Sequence, residues 1–259
     1  MKAFTGVLLA AAGLLLGAAL LSTALRRFTN RFYGQNGQDQ WVRDHLLWEG
    51  ADGFFVEFGA RDGITHSNTA YFERTLGWKG LCIEPLAVEF KALRVNRPNC
   101  RCVNGAIGTR RGLQDFVIVE GKLGWNGFWE EMAPSRQRDL VKKNASGAVR
   151  LRTIKTQTYP LADLLRAAQP TADVLHVSLL SIDTEGSELS VLRSLDWGRF
   201  RADVVQVEKS QHEKAIDRLM RKHGFVVRTD AQLQDSIYVR RAFVPSERPW
   251  WSVRCLPHC

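Results

Sequence analysis

Three short apolar runs in this chain each stop on a carboxylate. Gly53-Phe54-Phe55-Val56-Glu57-Phe58 leads into Gly59-Ala60-Arg61-Asp62-Gly63. Gly80-Leu81-Cys82-Ile83 ends on Glu84 before Pro85, and Leu179-Leu180-Ser181-Ile182 ends on Asp183 before Thr184-Glu185-Gly186. Runs of this length read as buried strands, and between them the apolar period changes to that of helices. Phe72 and Leu76 share one helical face; so do Leu86, Phe90 and Leu93, and then Leu189, Leu192 and Leu195. Such alternation predicts an α/β fold with a mostly parallel sheet and helical crossovers. Ligands of open α/β sheets sit outside the carboxyl ends of the strands, where these acids fall.

The remaining elements follow by the same reasoning. A helix carries Trp41, Val42, His45, Leu46 and Trp48, and Gly50-Ala51-Asp52-Gly53 breaks it. Arg101 to Asn104 with Ile107 reads as a third strand and its exit. Gln114–Glu120 and Val149–Lys155 read as further strands around residues 120–150, an insertion or lid rich in Gly, Trp and Lys. Leu161–Ala168 is a helix, Val174–Ile182 a long strand, and a helix starts at Ser187. Val204–Glu208, a helix with Ile216, Leu219 and Met220, and two strands at Phe225–Arg228 and Ser236–Val239 complete the pattern.

Residues Ala3 to Leu25 contain no charged side chain. As a helix they span about 33–35 Å, enough to cross a bilayer core. Residues 1–26 are therefore expected to form a single-pass anchor in preference to a cleaved signal peptide, with 27–36 as a juxtamembrane linker. Arg26, Arg27 and Arg31 follow the span and only Lys2 precedes it, a bias toward a cytoplasmic C-terminal domain. In a eukaryote the expected location is the endoplasmic reticulum, Golgi or plasma membrane.

The net charge of +9 is spread over dispersed Arg, without a basic run interleaved with aromatics, so nucleic acid is not an expected partner. Five cysteines make no disulfide framework in a chain of 259 residues. Cys82 reads as a small buried hydrophobe, and Cys100 and Cys102 are too close to pair with each other. Cys255 and Cys259, in the 242–259 tail, read as a tail disulfide or free thiols.

Glu57-x-Gly59-x-x-Asp62-Gly63 lies where a strand turns toward a helix, and glycine there lets backbone approach a ligand. Glu84, about 20 residues on, is placed to accept hydrogen bonds from ribose hydroxyls. The glycines do not spell G-x-G-x-x-G, so a nicotinamide enzyme is the weaker reading.

Taken together, Gln35-Asn36-Gly37-Gln38-Asp39, the glycine loop, Ser67-Asn68-Thr69, Gly77-Trp78-Lys79-Gly80-Leu81-Cys82-Ile83-Glu84-Pro85 and Ser181 to Glu188 resemble the FkbM-type methyltransferase domain. The resemblance runs from about Tyr33 to Arg240 and implies a Rossmann-like class I methyltransferase domain over 37–241. Its sheet would have seven strands, mostly parallel, with helices on both faces. It implies S-adenosyl-L-methionine contacts at Glu57, Gly59, Asp62, Gly63, Glu84 and Asp183, with Asn104 near the adenine. It also implies O-methylation of a glycan, lipid-linked or small-molecule hydroxyl.

Asp183 is the expected base for the hydroxyl proton, and His212 the second choice. No spacing compels a metal at Asp62, His66, Asp183 or Glu185. Trp125 to Trp129 are expected to meet the acceptor. Arg61 departs from the small or polar residue expected within the loop. The anchor followed by Gly34 to Asp39 also resembles Star-like single-pass members of the same family. These imply the alternative of a non-catalytic protein that binds cargo in endoplasmic reticulum-to-Golgi trafficking.

Overall fold

The computed structural model describes residues 31–47, 52–122, 124–228, 231 and 233–243. The apolar stretch expected to be an anchor, Cys255, Cys259 and most of the tail lie outside the described residues. Among the described residues no helix is long and apolar enough to cross a membrane.

Helix α1 (Gln38–His45) precedes β1 (Phe54–Phe58), α2 (Ala70–Leu76), β2 (Lys79–Glu84), α3 (Ala87–Asn96) and β3 (Cys100–Asn104). Next come β4 (Ala106–Ile107), β5 (Gly112–Glu120), a 3-10 turn at Trp129–Glu131, α4 (Pro134–Ala145) and β6 (Arg150–Tyr159). The chain continues through α5 (Leu161–Ala168), β7 (Leu175–Ile182), α6 (Glu188–Arg193) and β8 (Phe200–Glu208). It closes with α7 (Glu213–Lys222), β9 (Phe225–Val227) and β10 (Asp235–Arg240).

Seven strands form the main sheet in the order β3-β2-β1-β7-β8-β10-β9. All pairings are parallel except those of β10, which runs antiparallel to β8 and β9. The chain builds outward from β1 to β3 and then returns to lay β7 beside β1. That reversal opens a crevice at the carboxyl ends of β1 and β7.

Period-two alternation supplies both faces with apolar side chains. Val56, Phe58, Leu81, Ile83, Leu180 and Val205 pack against Leu165 of α5, Leu192 of α6 and Met220 of α7. Phe55, Cys82, Leu179 and Val204 point the other way, onto Val42 of α1, Phe72 of α2 and Leu93 of α3. Each buried Leu, Val or Phe contributes about 1.5–3 kcal/mol on leaving water, so these two layers hold the strand ends in register.

One expectation gains detail and one is corrected. Residues 120–150 are the stretch read as an insertion or lid. They hold α4 and belong to a unit whose three strands, ordered β4-β6-β5, form a second sheet. Val117, Val119, Met132, Leu140 and Val149 form its own apolar core. Helix α4 escaped the sequence because Leu140 is its single buried residue, too sparse a stripe for a period to register.

Cys82 is not a simple hydrophobe, since it forms a disulfide with Cys100 across β2 and β3, with a Cα–Cα distance of 6.1 Å. The register sets Gly80 opposite Cys100 and Cys82 opposite Cys102, so the bond runs diagonally and Cys102 stays free. Only the register brings residues 82 and 100 together; spacing along the chain does not.

Candidate active site

A cavity of about 780 Å³ opens at the carboxyl ends of the central strands, with Gly59, Glu84, Asp183 and Glu208 in its lining. Phe116, Ile118, Trp125 and Phe128 of the three-stranded unit wall it on one side. Gln35 and Gln38 line it beside Gln234 and Asp235. Asn36 donates to Gln234 at 2.9 Å and Gln38 to Asp235 at 3.3 Å, so the segment before α1 is tied to the start of β10 at this rim.

Gly59 adopts φ 65°, and a Cβ on it would meet the carbonyl oxygen of Asp183 at 2.5 Å. Glycine is required here on both counts, left-handed backbone and close approach. The contact sets the first and third acid-ended strands side by side.

Glu84 is buried, with 3% of its surface exposed. Its two carboxylate oxygens accept the backbone N–H groups of Arg61 at 2.9 Å and Leu86 at 2.7 Å. Burial nevertheless outweighs these bonds and pushes its pKa up to about 7. Arg61, at φ 50°, lines the cavity and donates a guanidinium N–H to His66 Nδ1 at 3.3 Å.

At the other end, the carboxylate oxygens of Asp183, Glu185 and Glu208 lie within 4.8 Å of one another. Parallel pairing of β7 and β8, with Ile182 opposite Val207, puts Asp183 and Glu208 on adjacent strand ends. Asp183 lines the open cavity and is exposed to it. Its pKa is nevertheless raised, first by desolvation at the packed strand ends and next by the charge of Glu185.

Burial and then the charge of Asp183 push Glu208 up to about 10. Burial likewise raises Glu185 to about 7, against the pull of the Arg136 guanidinium that pairs with it. The three acids are hard oxygen donors of the type divalent cations take, and Arg136 of α4 already supplies them a positive charge. The second sheet's helix therefore completes the electrostatics of the main sheet's edge.

Of the residues singled out in the sequence, Gly59, Glu84 and Asp183 line the cavity. Glu57, Asp62, Gly63, Asn104 and His212 do not. Glu57 shares its face of β1 with Phe55, under the α1–α3 layer, and its carboxylate is spent inside the protein. It accepts Ser67 Oγ, the Asn68 N–H, Thr69 Oγ1 and Arg97 Nη1. Asp62 caps its own turn by accepting the N–H groups of Ile64 and Thr65 and the Thr65 hydroxyl.

Gly63, at φ 83°, leaves room for Arg97, whose Cγ a Cβ would meet at 2.6 Å. Asn104 donates to the carbonyls of Glu84 and Pro85, and its neighbours Gly105 and Ala106 line the cavity in its place. His212 sits just before α7 with its carbonyl bonded to Ala215 and Ile216 and its ring against Gln211.

Sequence reasoning passed over Glu208 and Arg136. The first had a readable signal, since Val204-Val205-Gln206-Val207-Glu208 is another apolar run stopping on an acid. Arg136 had none, because only the docking of α4 brings it to the edge.

The strand order with its reversed β10 defines a Rossmann-like methyltransferase fold. The sequence profile of the Methyltransferase FkbM domain matches residues 57–227, more than half of the chain, which therefore belongs to that family. A methyltransferase, sdnD of Sordaria araneosa, is 29% identical over 113 residues, which make up 40% of this chain and 42% of that protein. The aligned region thus spans less than half the length of that relative. Among solved structures, methyltransferase FkbM from Methylobacillus flagellatus KT aligns at 13% identity and TM-score 0.44, over 80% of this chain and 48% of the other. A TehB-like SAM-dependent methyltransferase from Corynebacterium glutamicum ATCC 13032 Kitasato aligns at 9% identity and TM-score 0.38, over 86% and 96%.

Proposed function

We propose that this chain is a membrane-anchored, S-adenosylmethionine-dependent methyltransferase that methylates a hydroxyl on a glycan, lipid-linked or small-molecule acceptor. The observation that carries the reading is the Gly59–Asp183 contact. In the strand order β2-β1-β7-β8, Glu84 falls on one side of this contact and Glu208 on the other, and all four residues line one cavity, an order that suits an elongated cofactor. Glu84 suits ribose hydroxyls, since each of its oxygens keeps a lone pair beyond the backbone bond it accepts. The acidic end suits the positive sulfonium.

When bound, S-adenosylmethionine supplies a methyl group that is already electrophilic. The chain's own residues then have two tasks, in-line positioning and removal of the hydroxyl proton. Asp183 takes that proton in this reading. Burial and the neighbouring acids raise the pKa of Asp183 and Glu208 alike, which makes Asp183 a stronger base than a free aspartate. Phe116, Trp125 and Phe128 exclude water from the acceptor side.

Calorimetry of the full chain in detergent tests the cofactor half directly. Heat of binding with S-adenosylmethionine that disappears in Glu84→Ala is the expected outcome. No heat at millimolar cofactor would overturn the enzyme reading and leave the Star-like, cargo-binding alternative.

A further inference from the structure

The disulfide and one exposed tripeptide bear on which side of a membrane this domain works. Cys82 and Cys100 are both buried, and they join neighbouring strands of the main sheet. Disulfides persist in secretory, periplasmic and extracellular settings and are rare in the reducing cytosol. The only described cysteine outside the bond is Cys102, whose thiol donates to the Cys100 carbonyl at 3.5 Å.

Asn144-Ala145-Ser146 fits the acceptor sequence for N-linked glycans. Asn144 stands in the last turn of α4, and all three residues are exposed. The Asn144 side-chain carbonyl accepts the Leu151 N–H at 3.0 Å, which fixes the amide at the surface. Arg136, the residue of α4 that reaches the acidic cluster, lies eight positions earlier, about 12 Å along the helix axis. A glycan on Asn144 is therefore compatible with an open site.

We infer that the domain faces an oxidising, secretory-type compartment and that Asn144 is an N-glycosylation site there. The uncharged stretch Ala3–Leu25 routes a chain into that pathway whether it is kept or cleaved. Arg26 and Arg27, on its C-terminal flank, argue for the opposite orientation. Charge bias shifts an insertion preference, whereas a cytosolic domain would keep Cys82 and Cys100 reduced. The disulfide is the stronger constraint.

The test expresses the full chain, with its own N-terminus, in cultured eukaryotic cells. Digestion with an N-glycan-removing glycosidase is expected to shift the band by a single step. Asn144→Gln and Ser146→Ala each abolish that shift, and Ser146→Thr keeps it. In the background Cys255→Ser plus Cys259→Ser, denatured membranes should take up one maleimide label before reduction and three after it.

A band unmoved by the glycosidase overturns the assignment of Asn144. The thiol count then separates the causes. Three labels without reductant mean a cytosolic domain, and one means a luminal domain whose Asn144 is skipped. None of these readouts depends on methyl transfer.

Discussion

Gly59 and Asp183 end two neighbouring parallel strands, and the backbone of one rests against the backbone of the other with no space for a methyl group between them. Gly59→Ala would force a Cβ to 2.5 Å from the Asp183 carbonyl oxygen at φ 65°. The left-handed backbone alone costs roughly 1–2 kcal/mol, and the clash adds to it. Differential scanning calorimetry is expected to show a lowered Tm, with cofactor binding lost in the same variant.

Glu57 separates a structural from a cofactor role. Its carboxylate and that of Glu73 hold the fully buried Arg97, with Arg97 Nη1 to Glu57 at 3.1 Å. Breaking a buried pair leaves a charge without a partner and costs about 3–5 kcal/mol. Arg97→Met should therefore lower the urea midpoint steeply. Glu57→Gln should lower stability while the surviving folded protein binds S-adenosylmethionine within a few-fold of wild type. A complete loss of binding in a folded Glu57→Gln protein would restore Glu57 to the cofactor site.

Cofactor affinity should depend on pH through Glu84, whose pKa stands at about 7. Ionised, it accepts from ribose hydroxyls with both oxygens; protonated, one oxygen becomes a donor. Affinity is expected to rise as pH increases through about 7 and to level off above it, and Glu84→Gln should flatten the curve. Calorimetric titrations across that range check it.

The acidic cluster gives stability a slope of opposite use. Glu208 is raised from an ordinary value near 4.5 to about 10, so the fold binds its proton more tightly than the unfolded chain does. Its contribution is fully present below the unfolded value and is lost as pH rises toward about 10. Urea midpoints should fall between about pH 5 and about pH 9, and Glu208→Gln should reduce that fall. A slope unchanged in Glu208→Gln would remove the residue from the cluster's proton balance.

The disulfide closes a separation of 18 residues. A loop of that size is worth about 3 kcal/mol in the chain-entropy account. Cys82→Ala with Cys100→Ala should lose about that much in denaturant unfolding, and reductant should destabilise wild type but not the double variant.

The main sheet was legible because its signal is periodic. Val56, Phe58, Leu81, Ile83 and Leu180 alternate with side chains bound for the other face, and each run ends where glycine or proline stops it. What escaped depends on register and docking. Cys82 meets Cys100 only when β2 and β3 pair, and Arg136 meets Glu185 only when α4 folds over the sheet edge.

The glycine loop misled in a particular way. Gly59 does approach the cavity, but Glu57, Asp62 and Gly63 serve the loop's own shape and its fastening to Arg97. A motif read letter by letter gives equal weight to residues that face the ligand and residues that hold those in place. Glu208 shows the converse, since it carried the same strand-end pattern and only its distance from the glycines kept it from notice.

Arg97 bonds to Glu57, Gly63, Ser67, Thr69 and Glu73, and so ties the whole stretch from β1 to α2 to the residue that ends α3. The loop is consequently not a cassette. Moved into another sheet with residues 57–63 intact, it would leave behind the guanidinium that fastens it. The smallest exchangeable unit of this fold runs from the first strand through Arg97, and chimeras cut inside it should yield unfolded protein, not altered specificity.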